Sequence, residues 1–148
     1  MNPALALAIL AALLSGALAS LQAPTNAMLA RAVNSPVNAA LVSFAVGTIA
    51  LFVIALGVGV RPNASAVREL PWYAWAGGLY GAFFVAAAAF AAPRMGLAFF
   101  VAVLIGGQLL VALIIDHFGA FGFAKVPVNL SRAGGMGLVL LGVLLVRR

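Results

Sequence analysis

The chain has 148 residues, of which 66% are hydrophobic and 7% charged, against about half and about a quarter in soluble domains. That composition excludes a water-soluble globule, and the absence of cysteine excludes disulfides, thiolate nucleophiles and Cys-held zinc or iron–sulfur sites. The net charge of +6 comes from single cations set between apolar runs, a pattern that suits lipid headgroups and not a nucleic-acid patch.

A spanning helix takes about 20 apolar residues to cross about 30 Å of hydrocarbon. Charge-free runs at 1–30, 32–60, 70–93, 95–115 and 133–146 predict one all-α integral membrane domain over 1–148. Its five transmembrane helices are expected at about 4–30, 37–60, 72–92, 95–116 and 128–146. In the first, Ala17-Leu18-Ala19 resembles a signal-peptide cleavage motif, but no basic segment precedes it and the apolar stretch runs on to Ala30. We therefore expect a retained span.

Ser15, Ala19, Gln22 and Asn26 recur at i, i+4, i+7 and i+11 and form one polar or small stripe on this first helix. Lipid cannot satisfy an amide, so the stripe is expected to turn inward. Pro24 lacks an N–H and frees the carbonyl near Ser20, and broken backbone beside amides is a feature of transport sites. The other reading is that Pro24 ends the helix and leaves Gln22 and Asn26 at the interface.

Pro36 and the Arg61-Pro62 pair bound the second span. Trp72, Tyr73 and Trp75 open the third as an aromatic belt at headgroup level, and Tyr80 lies one to two turns deeper, where it can face a cavity. Gln108 is the lone polar side chain well inside the fourth span, and Ala112 and Asp116 continue its ridge. Asp116 with His117 has two readings. The pair can carry a proton, since ionisable groups in membranes are costly and usually functional, or the carboxylate can simply pair with Lys125 or an arginine at the interface. The fifth span has 14 uninterrupted apolar residues from Ala133, so it crosses fully only if it starts earlier and lets Arg132 snorkel.

Small residues four apart recur as Ala12/Gly16/Ser20, Gly77/Gly81 and Ala133/Gly137, and let helices approach closely. The glycine-rich fifth span is the candidate dimer contact. With five spans, Arg61, Arg68, Lys125 and Arg132 fall on the side of the N-terminus and Arg31, Arg94, Arg147 and Arg148 on the other. A zero bias gives no preferred orientation. Two copies inserted oppositely can form an antiparallel homodimer, a ten-helix inverted-repeat assembly; the alternative is one orientation set by the late loops or the translocon. No P-loop, metal spacing or catalytic triad is present, so an enzyme, a cofactor and a metal site are not expected.

The runs Leu21-Gln22-Ala23-Pro24-Thr25-Asn26, Ser35-Pro36-Val37-Asn38 with Ser43-Phe44-Ala45-Val46-Gly47-Thr48, the Trp72 to Gly81 block, Gly107-Gln108-Leu109 and Asp116-His117-Phe118-Gly119 together resemble the five-helix, YdcZ-like branch of the drug/metabolite transporter superfamily. The resemblance implies a bacterial inner-membrane exporter, half the size of the ten-helix members and working as a dual-topology homodimer, an opposed pair or a fused double. Small multidrug-resistance proteins of that superfamily use a carboxylate within helix 1 to exchange protons for cations, and helix 1 here has none. A neutral, zwitterionic or anionic solute fits the stripe at least as well as a cation. The expected function is therefore a secondary transporter of a small metabolite or drug-like solute. Gln22 and Asn26 would bind it, Ser15, Tyr80 and Gln108 would line the path, and Asp116 and His117 would couple protons. A passive dual-topology channel and a structural membrane subunit are the rival readings.

Overall fold

The computed structural model describes residues 2–59 and 63–147, without the side chain of Ala64. Arg61, Pro62 and Arg148, used above to bound a span and to count charge, lie outside the described residues. Among those described there is no strand. The order is α1 (Pro3–Ala32), α2 (Pro36–Val58), a five-residue α3 (Ala64–Arg68), a 3₁₀ turn (Trp72–Ala76) running into α4 (Gly77–Met95), α5 (Leu97–Phe118), a second 3₁₀ turn (Ala120–Gly122) and α6 (Leu130–Val146). The chain divides into two compact units at the Arg94–Met95 boundary.

Four helices have the length and hydropathy to cross a membrane: α1, α2, the continuous Trp72–Met95 stretch and α5. The sequence predicts a fifth at 128–146, but α6 has 17 residues, about 25 Å of helix. The physical reason is at its start, where Asn129 caps the helix by accepting the Arg132 N–H at 2.9 Å, so 128 and 129 lie outside it.

Caps written in the sequence set the helix starts of the first unit. Asn2 accepts the Ala4 N–H at 3.0 Å ahead of Pro3, and Ser35 accepts the Asn38 N–H at 3.2 Å ahead of Pro36, each proline sitting where a missing N–H costs nothing. Between α1 and α2 the chain reverses through Asn34, whose φ of 52° is left-handed. The Ser35 N–H then reaches back to the Ala30 carbonyl at 3.0 Å, closing the helix end as a Schellman motif does.

Pro24 neither ends α1 nor breaks it: the helix continues eight residues beyond to Ala32. Thr25 supports the passage, its hydroxyl donating to the Leu21 and Gln22 carbonyls at 3.1 and 2.9 Å. The reading in which Pro24 terminates the helix is therefore corrected; the Ser20 carbonyl still lacks the N–H that a proline cannot supply.

The core of this unit is made of small side chains: Ala23, Ala27 and Ala30 of α1, Ala39 and Ala40 of α2, and Ala88, Ala89 and Ala92 with Val85 of α4 are buried. Alanine surfaces let backbones come close where lipid removes the hydrophobic drive between helices. The predicted stripes do less: a Cβ on Gly16 or Gly77 would meet open space, and of that set Gly81 alone packs, with Phe44 Cζ 3.0 Å from where its Cβ would stand.

In the second unit α5 ends at Gly119 (φ 66°), with the Gly119 N–H returning to the Asp116 carbonyl at 3.3 Å. A side chain there would also meet Lys125 Cβ at 3.2 Å and the Phe123 carbonyl at 3.3 Å, so glycine is required twice over. The connection then returns along α5, and α6 packs against it, Gly106 facing Val143.

Candidate functional site

The seven residues singled out by the sequence fall in three environments. Asn26 is buried, 3% exposed, on the face of α1 made by Ala23, Ala27 and Ala30. Ser15, Gln22, Tyr80 and Gln108 are exposed, Tyr80 by 69%. Asp116 and His117 are partly buried at the end of α5.

The stripe of α1 is thus inward at Asn26 and outward at Ser15 and Gln22. At 100° per residue the buried arc of Asn26, Ala30, Ala23 and Ala27 is centred about 90° away from Gln22, so the stripe follows its edge. Ser15 instead returns its hydroxyl to the Ala11 carbonyl at 2.8 Å, satisfying itself within its own helix.

Asn26 has one partner. The Ser43 hydroxyl of α2 donates to Asn26 Oδ1, while Asn26 Nδ2 is buried with no hydrogen-bond partner. An unmet buried amide donor costs free energy, and in this setting it is an N–H group set among alanines with nothing to donate to. Sequence reading missed Ser43. A signal for it exists: in a hairpin with so tight a turn, residues equidistant from Asn34 and Ser35 meet, as buried Ala30 and Ala39 do in one cluster, and Asn26 and Ser43 have the same relation.

In the second unit Asp116 pairs with Arg132 of α6, not with Lys125, and Arg132 also donates to the Val126 carbonyl at 2.8 Å. The Asp116 carbonyl accepts the Val126 N–H at 2.7 Å. His117 Nδ1 accepts the Val128 N–H at 3.2 Å, which leaves the ring proton on Nε2. Its ring meets Phe118 edge-on at 4.8 Å and borders an apolar cavity of about 340 Å³ lined by Leu110, Leu113, Phe118, Val128 and Met136 among others. These contacts tie the 123–128 connection and the start of α6 to the end of α5. Among the described residues no group of three or more His, Cys, Asp or Glu could hold a metal ion.

A family model described as "Putative inner membrane exporter, YdcZ" matches residues 7–145. The chain belongs to the YdcZ family. The match runs from within α1 to within α6, and with the four long apolar helices it makes this a multi-pass inner membrane protein. That family description makes the chain a membrane transporter of the exporter type. No curated protein and no solved structure matches it.

Proposed function

We propose that this chain is a secondary transporter that exports a small neutral, zwitterionic or anionic solute by alternating access, as an antiparallel pair of five-span protomers. The observation that carries this reading is Asn26: a buried amide on a membrane helix, oriented by Ser43, with its Nδ2 hydrogens unpaired. A solute carbonyl, carboxylate or hydroxyl oxygen is the complement of such a donor. Pro24 lies within a turn of the amide and withholds an N–H from the Ser20 carbonyl, so the helix can flex beside it.

Ser15 is satisfied within its own helix, but Gln22, Tyr80 and Gln108 present polar atoms on faces that one chain leaves open, and lipid cannot satisfy them. In an opposed pair Gln22 and Tyr80 of the first unit would line the shared centre. Asp116 and His117 are the candidate proton-coupling groups: the contact of His117 Nδ1 with Val128 and that of Asp116 with Arg132 would tie a proton step there to the α5–α6 connection.

The test is counterflow in proteoliposomes with a panel of radiolabelled neutral, zwitterionic and anionic metabolites. Saturable counterflow of at least one is expected. Asn26→Ala should lower its rate by about tenfold or more, the worth of one well-placed hydrogen bond in a desolvated site, whereas Ser15→Ala should leave it within about twofold. Unitary currents without counterflow, or an active Asn26→Ala variant, would overturn the reading.

A further inference from the structure

The turn between α1 and α2 and the end of α4 enclose a cleft of about 230 Å³. Its floor is buried Ala30 and Ala89, and its walls carry Arg31, Arg94, Asn34 and Ser35. Both arginines belong to last turns, Arg31 of α1 and Arg94 of α4, and the left-handed Asn34 brings the start of α2 beside them.

Each guanidinium is drawn back along its own helix. Arg31 Nε donates to the Ala27 carbonyl at a long 3.4 Å; Arg94 Nη1 donates to the Phe90 carbonyl, and the group lies 3.7 Å over the Phe90 ring. One contact from five N–H donors leaves most of each fork open, and the stacked ring fixes the plane of Arg94. Neither arginine is ion-paired among the described residues, where the ion pair is Asp116 with Arg132.

The helix ends add their own partial charges, negative at the ends of α1 and α4 and positive at the start of α2, each about half a unit. With two guanidinium groups the cleft keeps a net charge of about +1.5 that none of the described residues neutralises by an ion pair. Ser35 and Asn34 supply polar atoms beside it. A planar fork matches the oxygens of phosphate or carboxylate.

We propose that this cleft binds an oxyanion, held by Arg31 and Arg94. The group can arrive as the phosphodiester of a lipid headgroup or as a free anion. The inference does not rest on the transport reading, because binding is measured here without flux, and Asn26 is left untouched.

The experiment uses the full chain purified in dodecyl maltoside, which carries no phosphate. Two probes are applied: inorganic phosphate by calorimetry, and phosphatidylglycerol by native mass spectrometry after mild delipidation. At least one is expected to bind once per chain and to weaken by about tenfold or more in R31Q/R94Q. The charge-matched variant R68Q/K125Q should hold it within about twofold. Phosphate bound by lipid-free protein identifies a free-anion site; phosphatidylglycerol that phosphate does not displace identifies a headgroup site. R31K/R94K keeps the charge without the fork and should fall between wild type and R31Q/R94Q, which keeps the test valid if R31Q/R94Q does not fold. Equal weakening in R31Q/R94Q and R68Q/K125Q, or binding of neither probe by the wild type, overturns the proposal.

Discussion

At Asn26 the two ends of one side chain pull in opposite directions on stability. Oδ1 has the Ser43 hydroxyl and Nδ2 has nothing. Removing Ser43 leaves the whole amide buried and unmet, while removing the amide deletes both the hydrogen bond and the unmet donor. Ser43→Ala is therefore expected to destabilise the chain by about 1 kcal/mol, within the range of single interhelical hydrogen bonds in membranes, and Asn26→Ala to be neutral or stabilising. Thermal unfolding of the two variants and the double variant in detergent measures this. A larger loss for Asn26→Ala than for Ser43→Ala would show that the amide is there to hold α1 on α2, leaving no donor for a solute. The same residue shows what sequence could reach: amide type and burial were readable from lipid's inability to satisfy it, but the partner was not. Ser43 is the one polar side chain between Ala39 and Gly47, and only the turn geometry at Asn34 decides what it meets.

At the scale of helices, Pro24 is the sharpest case. Proline in a helix interior costs about 3 kcal/mol, yet α1 runs through it unbroken for 30 residues. The span itself was legible from the apolar run; its continuity was not, because it depends on Thr25 donating to the Leu21 and Gln22 carbonyls and on alanine packing at Ala23 and Ala27. Pro24→Ala restores an N–H for the Ser20 carbonyl. The variant should unfold at a temperature several degrees higher, as a gain of a few kcal/mol requires, and should transport more slowly if bending at this point opens the path to Asn26. A variant that is more stable and equally fast would assign Pro24 no part in the cycle. Within one chain the packed face of α1 is that of the alanines, about a quarter-turn from the stripe through Gln22 that polarity marked.

For the molecule as a whole, orientation turns on α6. It runs back antiparallel to α5, with Arg132 level with Asp116 and Val143 level with Gly106. On that register its last residue, Val146, reaches the level of Val103, so the first six residues of α5, about 9 Å, have no α6 beside them. If α6 still crosses, Arg147 must snorkel over a distance its side chain can reach, and the mismatch costs only a fraction of a kcal/mol per Å. Gly134 and Gly137 face open space on α6, so a second helix could approach it closely. The charge count then separates two cases. With α6 crossing, the eight Lys and Arg divide equally; with α6 on the surface, six of them (Arg61, Arg68, Lys125, Arg132, Arg147 and Arg148) share a side against Arg31 and Arg94, a strong bias to one orientation. The chain has no cysteine, so Ser65→Cys, exposed on α3, reports the side of the α2–α4 connection to an impermeant thiol reagent on intact cells. About half of the chains labelled is the outcome expected of five spans and an antiparallel pair. Uniform protection or uniform labelling would instead fix a single orientation and remove the inverted homodimer from the transport cycle, the outcome that the six-to-two count gives for α6 on the membrane surface.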